Sequence, residues 1–167
     1  MIIKLKILLI FSILCMISGQ GFGQYSASAN FTASANIIEP VSIRTTSNMN
    51  FANIDAGNGG SVILKPDHTR STTGDVRLDN TANVSAATFE VNGQNGYAYT
   101  INIPTESFRM LNGTDELVLK NFNTGTISVL TSDSQTISLG ATLEVAAAQK
   151  PGLYTTPYPI EITVSYN

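Results

Sequence analysis

The chain has 167 residues, 13% of them charged, with one histidine, one cysteine and a formal net charge of −3. A mildly acidic chain without a basic cluster is unsuited to nucleic acid or to anionic membrane surfaces. One histidine and one cysteine leave no ligand set for zinc, and the length suits one domain with a core of its own.

Lys4 and Lys6 are the only charges at the start, and Ile7 to Ile17 is a nearly unbroken apolar run. Small residues follow at Ser18, Gly19, Gly21 and Gly23. This order predicts a secretory signal over residues 1–23, cut before Gln24. The run is shorter than the ~20 residues of a membrane anchor. Cys15 follows Leu14, where lipid attachment requires a small residue. Cleavage would remove Cys15 and leave the exported chain without a disulfide. It would also remove two lysines and no acid, taking the net charge from −3 to −5.

Residues 24–36 form an alternating arm. Ala27, Ala29, Phe31, Ala33, Ala35 and then Ile37 fall on one face, and Ser26, Ser28, Asn30, Thr32, Ser34 and Asn36 on the other. Fully extended it would run ~40 Å, about twice a typical strand. Two placements are open: a first strand of its own domain, or a strand reaching into another chain. Glu39-Pro40 ends the pattern, since proline cannot donate to a ladder.

Residues 37–167 read as one β domain. Period-two alternation recurs, with Tyr97, Tyr99, Ile101 and Ile103 on one face and Ile137, Leu139, Ala141, Leu143 and Val145 on another. Shorter strands are predicted at Val41–Ile43, Met49–Ile54, Val62–Leu64, Val76–Leu78, Phe89–Val91, Leu117–Leu119 and Ile127–Val129. Turn signals separate them at 57–60, Asn92-Gly93, Asn95-Gly96, Asn112-Gly113 and Pro151-Gly152. Many short strands at this spacing indicate an antiparallel β-sandwich. The last segment places Ile160, Ile162, Val164 and Tyr166 on one face and Glu161, Thr163, Ser165 and Asn167 on the other. Such a ladder is either a core strand or a strand that something recognises.

Catalytic and cofactor chemistry are not expected. His68 lies in the turn-like stretch Lys65-Pro66-Asp67-His68-Thr69-Arg70 without a nucleophile motif beside it. The twelve acids stand in no glycosidase-like context. The 55–60 loop, Asp-Ala-Gly-Asn-Gly-Gly, reads as a glycine turn rather than a calcium loop. No metal is expected. Three glycosylation sequons, at Asn30, Asn83 and Asn112, are expected by chance in a chain this rich in Asn, Ser and Thr.

The block from Gly140 to Ala146, followed by Gln149-Lys150-Pro151-Gly152-Leu153-Tyr154, resembles the signature of an exported bacterial family, domain of unknown function 4402. Residues 36–43 and 49–54 are similar to its opening blocks. That family in turn is similar to chaperone–usher pilins and spore-coat-U-like subunits. The likeness rests on the N-terminal arm, the Pro-Gly-x-Tyr turn and the penultimate tyrosine, Tyr166. It implies an immunoglobulin-like, pilin-like sandwich that lacks one strand and takes it from a neighbour.

Mapped here, Ala27, Ala29, Phe31, Ala33 and Ala35 would be the donated face. Ile160, Ile162, Val164 and Tyr166 would border the acceptor groove or meet a chaperone. The expected partners are like subunits, a periplasmic chaperone and an outer-membrane assembly protein, with passage through the periplasm to the cell surface or beyond. The departures are the missing disulfide and an arm with Phe31 as its one large anchor before Ile37. The alternative is a self-complete sandwich acting as a surface adhesin, binding a host or surface glycan through Tyr97, Tyr99, Tyr154 or Tyr158.

Overall fold

A computed structural model describes residues 2–17, 23, 25–79, 81–125 and 129–167. Ser18 to Gly21, the cut before Gln24 and the Ile127 end of one predicted strand lie outside them. The chain divides into two compact units, Met1–Asn36 and Ile37–Asn167.

In the first unit, α1 spans Ile2–Ile17 and is apolar apart from its lysines and Ser12. Among the described residues, no helix is long and apolar enough to cross a membrane. Residues 25–36 form neither helix nor strand and are exposed at both parities, Phe31 at 91%. The arm is therefore not a first strand here, for an energetic reason. Alanine side chains bury little area, too little to offset the roughly 1–2 kcal/mol per residue of fixing a backbone.

The second unit is an all-β antiparallel sandwich. Strand β1 (Ser42–Ser47) pairs with β6 (Ala87–Asn92), and β6 pairs with the first half of β10 (Ser134–Val145). The second half of β10 pairs with β3 (Gly60–Leu64), which pairs in turn with β4 (Arg70–Gly74). The other edge of β10 carries β9 (Asp115–Thr124), and β9 carries β8 (Phe108–Asn112). Two short pairs complete the fold: β2 (Ile54–Asp55) with β5 (Arg77–Leu78), and β7 (Tyr99–Asn102) with β11 (Thr163–Tyr166).

Local chemistry explains the path. β10 passes from β6 to β3 at Gly140, where any Cβ would collide with the Leu64 carbonyl. Opposite, Asn121 and Phe122 face Ala141 alone, a β-bulge that Asn121 permits at φ 52°. The bulge turns Phe122 inward, edge-on to Phe108 at 5.7 Å. Asn112-Gly113 makes the predicted β8–β9 turn, with Gly113 at φ 63°. Cross-strand pairs add to the β1–β6 ladder, with Arg44 bonded to Glu90 at 2.7 Å and Thr46 to Thr88 at 2.8 Å.

The alternation in the sequence becomes burial. Ala87, Phe89 and Val91 of β6, and Ile137, Leu139, Ala141, Leu143 and Val145 of β10, all face inward. The larger cluster also contains Phe51, Val62, Leu64, Leu117, Leu119 and Phe122. A smaller one joins Val91, Tyr99, Leu130 and Ile137. Each buried Leu or Phe contributes about 1.5–3 kcal/mol.

Three sequence expectations need correction. Met49–Ile54 is mostly not a strand: Asn50 Oδ1 accepts from the Ala52 N–H at 2.9 Å, and Ala52 sits at φ 55°, which ends the ladder. β4 and β8 were not anticipated, because Arg70-Ser-Thr-Thr-Gly and Phe108-Arg-Met-Leu-Asn lack a clear alternation. The closing strand is shorter than its pattern, with only Thr163–Tyr166 paired.

Candidate functional site: a groove open to the core

The sandwich opens between two irregular segments, residues 48–57 and 148–162, into a groove of about 1070 Å³. Its floor includes Phe89, Leu117, Leu119, Phe122, Leu139 and Leu143, all members of the larger core cluster. Ile160 and Ile162 line one wall, and Met49 and Phe51 the other. Neither the 48–53 rim nor the 151–160 rim carries a charged side chain. The floor residues are themselves buried, none more than 9% exposed, and Asp55 and Lys150 stand on the lining farther along the two segments.

Both rims are anchored. Arg70 donates to the Phe51 carbonyl, to Asn53 O at 3.3 Å and to Asp79 O at 2.7 Å. Asp79 accepts from the Thr81 hydroxyl at 2.6 Å, the Thr81 N–H at 2.9 Å and Asn53 Nδ2 at 3.0 Å. Those bonds, the Thr81 hydroxyl first, hold its carboxyl down at about 2 against an ordinary 3.8. A depressed folded-state pKa stabilises above the unfolded value and loses that contribution as the pH falls through the folded one. The 51–53 rim is thus expected to loosen between about pH 4 and pH 2. Acid titration followed by amide exchange at Asn53 should show it, and Asp79→Ala should erase the step. The other rim is held by Tyr154, whose hydroxyl donates to Lys150 O at 2.7 Å and accepts from Gln149 Nε2 at 2.9 Å. Thr155 also exchanges backbone bonds with Leu111.

The four closing-strand candidates divide between the two clusters. Ile160 and Ile162 pack against the larger one beside the groove, and Val164 and Tyr166 against the smaller. Their outward neighbours Glu161, Thr163, Ser165 and Asn167 are exposed, so the alternation is realised. The Tyr166 hydroxyl donates to Glu39 O at 2.9 Å and accepts from the Gln94 N–H at 2.6 Å. Gly93 makes room for it, since a Cβ there would collide with the hydroxyl. Val164 and Tyr166 are thus built into a closed end, and Ile160 and Ile162 border the open one. The five donor candidates, Ala27, Ala29, Phe31, Ala33 and Ala35, lie in the first unit and are exposed.

The remaining candidates are placed as follows. Tyr99 is 1% exposed, and burial pushes its phenol pKa up. Tyr97 packs against Tyr166 with ring centroids 5.7 Å apart. Tyr154 is half-buried with its hydroxyl engaged, and Tyr158 is exposed at 79%. His68 is exposed, and its Nδ1 accepts from the Ala86 N–H at 3.1 Å, a structural contact. In the 55–60 loop, Asp55 accepts from the Gly57 N–H at 3.1 Å, and Asp75 accepts from Asn58 Nδ2 at 2.7 Å. Those carboxylates shape the turn. Among the described residues, no three His, Cys, Asp or Glu side chains gather to hold a metal ion.

Sequence reasoning missed Arg70, Asp79 and the 48–53 rim. Their meaning depends on a guanidinium reaching the backbone carbonyls of two loops and a carboxylate bonding Thr81 and Asn53, which no spacing records.

Fold and groove together define a class: an all-β sandwich with a groove along one side. The chain belongs to the DUF4402 family, whose description is a domain of unknown function and whose family model matches residues 41–166. No curated protein and no solved structure matches it.

Proposed function

We propose that this protein is an exported structural subunit of a fimbria-like or surface fibre, joined to like subunits by strand donation. The observation that carries the reading is the groove, which runs over the core of the second unit between two irregular rims. The first unit supplies a matching segment: residues 25–36 are exposed, uncharged and alternate in polarity. Strand addition gains backbone hydrogen bonds, and alternate side chains entering pockets set the register. Contact of arm with groove is head-to-tail and does not close on itself, so it propagates as a filament. Before assembly, a periplasmic chaperone would cover the same groove, and an outer-membrane assembly protein would receive the subunit.

Deleting residues 24–35 is expected to leave a folded subunit that no longer polymerises. Size-exclusion chromatography with negative-stain microscopy reads the outcome; unchanged polymers would refute the reading.

A further inference from the structure

The β7–β11 ladder has a parity, and the prolines beside it give that parity a consequence. The Asn167 N–H bonds Ala98 O at 3.2 Å. With Thr163 opposite Asn102 and Ser165 opposite Thr100, residues 163, 165 and 167 turn their N–H and C=O groups toward β7. The intervening residues, Val164 and Tyr166, turn theirs to the opposite edge. Ile162 and Ile160 continue this series, because the buried-exposed alternation runs unbroken from Ile160 to Asn167.

Continued backward, the register would set Glu161 against Pro104, with Pro159 next in the same parity. Both lack the N–H that this side of the ladder requires. Pro157 lies at a bend that ends the extended run. The prolines therefore close the β7 side of the segment to further pairing and leave the opposite edge with all its donors. Among the described residues, the backbone of Ile160 and Ile162 makes no hydrogen bond to other backbone.

We infer that the backbone edge of Ile160 and Ile162 is the strand-accepting edge of the groove, and that its occupant is the 27–35 segment of a second copy. This rests on the strand-donation reading and adds which edge and which amides take part. The occupant follows from chemistry on both sides. Residues 25–37 carry no charge, so the incoming segment brings no ion into the groove, and the Asp55 and Lys150 side chains on its lining are largely in solvent. The segment contains no proline, so every one of its residues keeps a donor. Phe31, 91% exposed, is the one large side chain of residues 27–35 and enters the apolar floor.

A proline scan in the full-length chain tests the edge, with assembly read by size-exclusion chromatography and folding by thermal unfolding. Ile160→Pro and Ile162→Pro are expected to weaken assembly by roughly tenfold or more, since each leaves an acceptor on the incoming strand without a partner. Glu161→Pro removes an N–H on the side already closed and is expected to assemble normally. Ile160→Ala and Ile162→Ala keep the donor and are expected to assemble better than the corresponding proline variants. Should a proline variant fail to fold, amide exchange on the unaltered chain decides: Ile160 and Ile162 slow on assembly, and Glu161 does not. Equal assembly of all three proline variants, or equal slowing at all three amides, overturns the edge assignment and leaves strand donation standing. An unaltered chain that never assembles overturns both.

Discussion

Phe31→Asp is expected to abolish assembly while leaving the thermal stability of the isolated subunit unchanged. The side chain is 91% exposed in the single chain, so its loss removes no internal contact. In a filled groove it would be withdrawn from water against the apolar floor, a contribution of about 2–3 kcal/mol. The aspartate both forfeits that contribution and carries a charge onto an apolar floor, costing several kcal/mol more. Together these amount to about 5 kcal/mol, more than three orders of magnitude in affinity. Phe31→Ala loses only the first part and is expected to weaken assembly about tenfold to a hundredfold. Dilution series on a sizing column would measure both. Polymers that survive Phe31→Asp would show that the arm is not what fills the groove.

The second large effect is expected inside the subunit. Tyr166→Ala removes the ring packed on Tyr97 and both hydroxyl bonds that tie β11 to Glu39 and Gln94. Large aromatic truncations cost about 3–5 kcal/mol when buried. Tyr166 is half-buried, so about 3 kcal/mol is expected, enough to free the closing strand. Tyr166→Phe keeps the ring and strands the Gln94 N–H and the Glu39 carbonyl, for about 1–2 kcal/mol. Urea unfolding of the two variants separates packing from hydrogen bonding. A Tyr166→Phe protein as stable as the unaltered one would mean that the ring alone pins the strand.

Much of the architecture was legible because a strand with one buried face writes its period into the sequence. β6, β10 and the closing segment were read from Phe89, from Ile137 to Val145 and from Ile160 to Tyr166, and each of these faces inward. The Asn112-Gly113 turn was equally plain, since few residues other than glycine accept its φ of 63°. β4 escaped because an edge strand of serine and threonine, largely exposed, has no inward face to record. The 48–53 rim misled for the opposite reason: Met49, Phe51 and Ala52 resemble a strand, yet the Asn50 side chain captures the Ala52 N–H and stops the ladder.

The candidate site was half visible. Alternation alone marked both the arm and the closing segment as unusual, and composition alone showed that the arm carries no charge. Alternation cannot say whether an apolar face meets its own core, a neighbour or water, because a strand's period is the same in all three. Tertiary structure decided that: it closed the sandwich over Val164 and Tyr166, and opened it beside Ile160 and Ile162. It left Phe31 in solvent. The period of the chain is a local property of the pleat, settled by the order of residues. Which stretches of the chain meet across a gap is settled by long-range packing.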